Sequence, residues 1–548
     1  MKKLYFVLIA FFLTSSISFG QTADDVESII PSEVQLFLKT KEISKLNKTV
    51  NYIINNLMDE KQRGEFIAKR DEFKKNTGID CLDEKSLRSA GIDTDRSLSF
   101  ANFDKDNIND VNLLFIPVLN EEEAVLRFIE VLKRMDSDDS DSNIKPVTTK
   151  YKNLTVYELK NDMYVTSAYK YLIIGSTNEI IKRAVDSKES SKGTLILDEN
   201  YKDFLAKIGI GYDINVFITK SFISNINSPF TGRRTANNLY SMKNFILTQA
   251  HSTFAKTSTE ETSFEDSIDY IAAGIGFDNN KFQINASTKF AKDDKTTKQY
   301  LDFLKTGVHN SSIYIPTADS TVFLSLDYQY INNFCKAEVE WCEQFNFIKE
   351  QMKNETGIDF EKDFLPYCNG GVNIISQDTG TFGGVGDILV FSPMTNSAKA
   401  EELWNKMRKF FQAKYSKSKK FGDEKIGNSK GFWFIDESQM RIFVSYDKRG
   451  IYAGNSVVLM KSGLSANTVT AQGKGDRYKD IINDKTFFIV NIKKNSLMKM
   501  FMGMAAQGNS DMAGFINRIG EIFLYGEKND NFISINLDVE IRESRGKK

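Results

Sequence analysis

The feature that most constrains this 548-residue chain is that it repeats itself. Asn76-Thr77-Gly78-Ile79-Asp80 returns as Glu355-Thr356-Gly357-Ile358-Asp359, 279 residues later. Val111-Asn112-Leu113-Leu114-Phe115-Ile116-Pro117 is matched by Asp387-Ile388-Leu389-Val390-Phe391-Ser392-Pro393 at an offset of 276. Leu172-Ile173-Ile174-Gly175 is matched by Gly450-Ile451-Tyr452-Ala453-Gly454, and Tyr201-Lys202-Asp203 by Tyr478-Lys479-Asp480, at offsets of 279 and 277. Four matches in one order at nearly one offset imply a duplicated domain. A chain of this length also exceeds what one hydrophobic core fills, so two domains are expected on size alone.

The ends of the repeats agree. Pro31-Ser32-Glu33 leads into the apolar run Val34 to Leu38, and Pro316-Thr317-Ala318-Asp319 leads into Thr321 to Leu324. Each repeat closes with two apolar-alternating runs around an Asn-rich turn, Asp278-Asn279-Asn280 or Lys528-Asn529-Asp530-Asn531, the pattern of a hairpin. Gly307, His309 and Asn310 break the pattern between them. The expected organisation is a leader at 1–20, an extension at 21–30, repeat one at 31–305, a linker at 306–312 and repeat two at 313–548.

Within each repeat the reading is a strand, then a long amphipathic helix with Ile43, Leu46, Val50, Ile53 and Leu57 spaced three and four apart. Two strands and a helix at about Glu121 to Met135 follow, then two strands, a short helix, a strand, another helix and the final hairpin. Hairpin-grouped strands between helices predict an α+β fold, each repeat a mostly antiparallel sheet packed with helices. In the shared Thr-Gly-Ile-Asp motif, Gly78 and Gly357 are expected to take positive φ and end a helix. Asp80 and Asp359 are then expected to cap the next segment, with Asp83, Glu84, Glu361 and Asp363 placed where a helix N-terminus favours acids. The combination of strand, long helix and Thr-Gly-Ile-Asp, present twice, resembles an exported bacterial family known as a domain of unknown function. The resemblance implies an envelope location and carries no catalytic residues.

The N-terminus points the same way. Lys2 and Lys3 precede an apolar stretch from Leu4 to Leu13, and Ser18 and Gly20 are small residues set for cleavage before Gln21, which reads as a secretory signal peptide. No Cys follows until Cys81, and no later run is apolar enough for a membrane span, so a soluble periplasmic or secreted protein is expected. Lys plus Arg is 72 and Asp plus Glu 73, a balance that gives no global reason to expect nucleic acid. Of the four cysteines, Cys335 and Cys342 are too far apart for a bond within one straight helix. A bridge from either to Cys368, or buried thiols, are both compatible with the sequence, and the four lack the close pairs of a zinc site.

No residue pattern in the sequence marks a catalytic, cofactor-binding or metal-ligating site. His251 and His309 are the only histidines, and neither has a counterpart in the other repeat. Gly427-Asn428-Ser429-Lys430-Gly431 has the spacing of a nucleophile elbow, but a strand-like Phe432-Trp433-Phe434-Ile435 follows where a helix is required, so a hairpin turn is expected. The glycine-rich stretch Gly380 to Gly386 likewise runs into a strand, against a phosphate cradle. Asp136-Ser137-Asp138-Asp139-Ser140-Asp141 has oxygen ligands suited to calcium but lacks the Gly and Glu of an EF-hand, and repeat two has a basic stretch, Lys414 to Lys420, in its place. Arg233 and Arg234 sit in a polar insertion, 228–265. The expected function is a non-enzymatic interaction or scaffold module of the envelope. A carrier for a hydrophobic ligand and a carboxylate-based exported hydrolase are the alternatives.

Overall fold

The computed structural model describes residues 25–56, 58, 60–105, 109–135, 146–159, 163–207, 211–222, 267–278, 280–291, 321–328, 331–332, 343–369, 371–377, 386–418, 420–436, 439–465, 485–493 and 518–542. The leader, the 306–312 linker, His251, His309, Arg233, Arg234, Cys335, Cys342, the 136–141 run, residues 316–319 and residues 478–480 lie outside them. The chain divides into two compact units, one within 1–242, 268–289 and 541–548, the other within 243–267 and 290–540.

The first unit opens with a short 3-10 turn, Asp25–Ser28. Then come β1 Leu36–Glu42, α1 Ile43–Asn56, α2 Glu60–Thr77, α3 Glu84–Ser89, β2 Ser97–Lys105, β3 Asn109–Pro117 and α4 Glu121–Met135. Next are β4 Val147–Tyr151, β5 Leu154–Leu159, β6 Met163–Ala168, β7 Tyr171–Gly175, α5 Asn178–Ser190 and α6 Glu199–Lys207. The unit closes with β8 Ile214–Thr219, β9 Ile268–Asp278 and β10 Lys281–Phe290. Antiparallel pairing sets the strand order β9-β8-β1-β2-β3-β7-β6-β5-β4, with β10 bonded to β9.

The second unit runs β11 Thr321–Asp327, α7 Glu343–Thr356, β12 Gly371–Gln377, β13 Asp387–Pro393, α8 Ser397–Tyr415, β14 Phe421–Ile426 and β15 Ser429–Ile435. It continues with β16 Arg441–Asp447, β17 Gly450–Gly454, α9 Val457–Ser465, β18 Thr486–Lys493, β19 Ile519–Asn529 and β20 Phe532–Ile541. Its order is β19-β18-β11-β12-β13-β17-β16-β15-β14, with β20 bonded to β19. Strand for strand, the two orders are the same. The fold is α+β, as the hairpin-and-helix pattern predicts.

Alternation of side chains along each strand gives each sheet two faces, and helices pack on parts of both. In the first unit, Ile180, Ile181, Ala184 and Val185 of α5 are fully or nearly fully buried, as are Tyr201 and Phe204 of α6, which meet Phe37 and Phe217 of the sheet in ring contacts. The opposite face packs Ala124, Val125 and Ile129 of α4 on Val165 and Leu172. In the second unit, Leu459 and Met460 of α9 pack with Ile375, Leu389, Tyr452, Ile489 and Phe523. Leu403 and Trp404 of α8 pack with Phe432, Phe434 and Val444 on the other side.

The Thr-Gly-Ile-Asp motif is built alike in both units. Thr77 Oγ1 donates to the Phe73 carbonyl at 2.8 Å and accepts from Ile79 N at 3.1 Å. Thr356 Oγ1 donates to Met352 O at 2.5 Å and accepts from Ile358 N at 3.2 Å. Gly78 and Gly357 have φ of 77° and 68°, the left-handed geometry that ends each helix. Asp359 caps the following turn by accepting from Glu361 N and Lys362 N. In the first unit the structure corrects the expectation. Asp80 accepts from Leu82 N in the turn that follows while Arg70 and Lys74 hold its carboxylate, and the cap of α3 itself is Asp83, which accepts from Ser86 N.

Three further differences have physical causes. The long helix expected after β1 is two, α1 and α2. The first buries Ile43, Leu46, Val50 and Ile54, whereas Thr77 is the one buried residue of the second. Met58 N bonds the Ile53 carbonyl, five residues back, as α1 unwinds. Between α4 and α5 there are four strands, where two were expected. Their turns use Lys152, Tyr169 and Lys170 at positive φ, so they carry no Gly or Pro punctuation to read. Both α5 and α6 precede β8, and after β8 the residues 220–222 are helical, the chain from 223 to 266 lying outside the described residues.

Candidate functional site

Buried charge in the first unit is concentrated where the segment before β1 meets the sheet. Val26, Ile29 and Ile30 are 0% exposed, each contributing about 1.5–3 kcal/mol by burial. Between them Glu27 accepts from Lys39 Nζ of β1 at 2.7 Å and from the Tyr201 hydroxyl of α6 at 3.0 Å. Burial, reinforced by Glu27, pushes the Tyr201 phenol well above its ordinary pKa, so it stays a donor. One strand edge away, Lys41 Nζ lies 3.5 Å from Asp213, whose other oxygen accepts from Phe277 N at 2.8 Å. Burial lowers the Lys41 pKa more than Asp213 raises it. These groups answer one another across β1, β8 and β9, so their chemistry is to fix register, because an unpaired charge there would be costly.

Asp80 is the acid that the sequence singles out most strongly, and the structure gives it a structural role. Arg70 grips it through Nε at 2.8 Å and a terminal nitrogen at 2.5 Å, with Lys74 at 3.3 Å and Leu82 N at 3.2 Å. The Arg70 hydrogen bonds hold its pKa down at about 2. Its neighbour Cys81 is half-buried, and burial raises its thiol pKa. Cys368 donates to the Phe364 carbonyl at 3.4 Å.

The Gly427-to-Gly431 stretch joins two antiparallel strands, β14 and β15, with Gly427 at φ 62°. Ser429 therefore begins a strand and does not stand at a strand-to-helix elbow. An open groove of about 440 Å³ lies here, lined by Trp404 and Arg408 of α8 and by Asp423, Lys425, Ser429 and Lys430 of the hairpin. Arg408 closes on Asp423 through Nε and one terminal guanidinium nitrogen, so its charge is already answered within the groove. The glycine-rich stretch ends at Gly386 between β12 and β13, which pair antiparallel from Gln377 and Asp387 onward, so it too connects strand to strand. Among the described residues, no group of three or more His, Cys, Asp or Glu side chains could hold a metal.

One arrangement had no signal in the sequence. Register aligns Ala273, Val216, Leu38, Phe100, Leu114 and Ile174 in a row across six strands of the first unit. The corresponding row in the second is Leu524, Val490, Leu324, Ile374, Val390 and Ala453. Leu38, Phe100, Leu114 and Ile174 are half-buried, as are all six of the second row. At strand spacing the row is about 24 Å long. Beyond Ile174 and Ala453 it continues into Val165 and Val444, which α4 and α8 cover. Leu114 packs on the cluster of Ile43, Leu87 and Leu98, and Ile374 and Val390 on that of Tyr328, Phe360 and Val372, and the row presents no group that transfers protons.

Comparison with known proteins gives a family and little more. No curated protein matches the chain. Crystal form I of TP0453 is 10% identical, with 52% of this chain and 86% of that chain covered at a TM-score of 0.24. Crystal form III is 11% identical, covering 52% and 87%, also at 0.24. Likeness at that level transfers neither arrangement nor role. Among the described residues no helix is long and apolar enough to cross a membrane. The family model described as "Protein of unknown function (DUF3352)" matches residues 93–428, more than half of the chain, and the chain belongs to that family.

Proposed function

We propose that this is an exported cell-envelope protein that works by binding, its two repeated domains each offering a sheet face to a partner. The observation that carries this reading is the apolar row, set at the same place in the strand order of both units, with four of its six residues half-buried in the first and all six in the second. Contiguous apolar surface that is left partly open marks interaction sites. Export is supported by Lys2, Lys3, the Leu4 to Leu13 stretch and the small residues Ser18 and Gly20. The carrier reading is favoured by one property of the row, that it contains no charged side chain, which suits a hydrocarbon chain as well as an apolar protein surface.

A photo-reactive amino acid placed at Leu38 or Leu324, with exposed Glu122 as the control site, separates these readings in intact envelopes. Protein adducts specific to the two row positions support the interaction module. Lipid adducts there support the carrier. Adduct yields equal to those from Glu122 at both positions would refute binding through the row.

A further inference from the structure

The outer strand of the first sheet is an open edge. Among the described residues, β4 pairs with β5 and with no other strand. Val147, Thr148, Thr149 and Lys150 are all exposed, Val147 by 62%. Val147, Thr148 and Thr149 are β-branched and Tyr151 is aromatic, the composition that favours strand pairing. The turn to β5 is the two-residue Lys152-Asn153, with Lys152 at φ 52°. The pair that closes such a turn, here Tyr151 and Leu154, is hydrogen-bonded, and bonding alternates along the ladder. Val147, Thr149 and Tyr151 therefore turn their backbone N–H and C=O groups to β5, and Thr148 and Lys150 turn theirs outward. Natural sheets blunt such edges with charge. The strand at the same place in the second unit, β14, does so with Asp423, Glu424 and Lys425 in succession. In β4 the one charged residue is Lys150.

We propose that β4 pairs edge to edge with β4 of a second copy of this chain, antiparallel about a twofold axis at Thr149. The outward groups decide the register. With the axis at Thr149, Thr148 of each copy faces Lys150 of the other, and the two pairs exchange backbone hydrogen bonds in both directions. Val147 then lies opposite Tyr151 of the other copy, a β-branched residue against an aromatic one, and Thr149 lies opposite its own counterpart. An axis at Lys150 would set two ammonium groups opposite each other. An axis at Thr148 would bring Lys150 against Pro146, which has no N–H to give. Pro146 at one end and the left-handed Lys152 at the other confine the match to β4. A twofold contact of this kind uses both β4 edges and stops at a dimer. It involves neither apolar row, so it stands or falls apart from the binding function proposed above.

The test is the mass of the mature protein by sedimentation equilibrium, from roughly 5 µM to roughly 500 µM. An interface built on one short strand from each copy is small, so a dissociation constant on the order of 100 µM is expected. Thr149→Lys and Thr149→Glu each set like charges opposite one another on the axis and should weaken self-association by about tenfold or more. Mixed in equal amounts, the two variants should associate at least as tightly as the wild type, because Lys then faces Glu. Thr148→Pro removes an outward N–H that the sheet of its own molecule does not use, so it should give a monomer with unchanged circular dichroism. A wild-type monomer up to roughly 500 µM, self-association unchanged in Thr149→Lys, or charge variants that stay apart when mixed would overturn the proposal.

Discussion

Glu27 is the residue whose removal should reveal most about how the first unit is held. Its carboxylate is buried, bonded to Lys39 at 2.7 Å and to the Tyr201 hydroxyl at 3.0 Å. Glu27→Gln keeps an acceptor for Tyr201 and nearly the same volume, but leaves the Lys39 ammonium without its counter-charge, with its side chain 11% exposed. Breaking one partner of a buried pair costs about 3–5 kcal/mol. At roughly 2–4 °C per kcal/mol for a unit of this size, the melting point should fall by about 6–20 °C. The chain supplies its own control, because Trp341, Trp404 and Trp433 all fall within 290–540. Tryptophan fluorescence thus follows the second unit, and a far-ultraviolet circular dichroism step without a fluorescence counterpart follows the first. Glu27→Gln should move that step and leave the fluorescence transition in place. Replacing the whole set with apolar residues, Glu27→Leu with Lys39→Met and Tyr201→Phe, should recover most of the loss, since well-packed apolar substitutes of buried ion pairs are often neutral. A Glu27→Gln cost below about 1 kcal/mol, or a triple variant worse than the single one, would refute the account of a closed charge network.

The remaining expectations concern backbone and acid. A Cβ at Gly454 would stand 2.3 Å from the Ile388 carbonyl oxygen, and one at Gly175 2.8 Å from Ile181 Cγ1. Gly454→Ala should cost about 3 kcal/mol or more and move the fluorescence transition, while Gly175→Ala should cost about 1–3 kcal/mol and move the dichroism step. Gly357→Ala meets no atom within 4 Å, so its cost, about 1 kcal/mol by urea titration, isolates the strain of φ at 68°. Asp80 has its pKa depressed to about 2, so the stability it lends is complete above its unfolded value near 4 and is lost as pH falls from about 4 to 2. That amounts to about 2 kcal/mol, read as a falling urea midpoint over this window, and Asp80→Asn should be less stable at neutral pH with a flatter acid limb.

Local signals in the sequence are legible where the physics that sets the structure is local. The α4 helix from Glu121 to Met135 was legible because acids open it, Lys133 and Arg134 close it, and its apolar residues recur at helical spacing. The hairpin nature of the Gly427 turn was legible because apolar aromatic residues follow it without a helical start. The motif glycines were legible because only positive φ explains a Gly closing a helix twice. The four strands after α4 were not, because Lys152, Tyr169 and Lys170 take left-handed geometry that their residue types do not announce.

By itself the sequence determined the class of fold and the helix-ending role of the repeated glycines, because propensity, capping and periodicity act over a few residues. Tertiary structure alone decided the rest. Glu27 and Lys39 are 12 residues apart, yet only the packing of the first turn on β1 makes them a pair, and Tyr201 joins them from 174 residues away. Leu38, Phe100, Leu114 and Ile174 become one surface because strand register brings them side by side. Register is set by the summed burial of whole sheet faces, a quantity that belongs to no short stretch of chain.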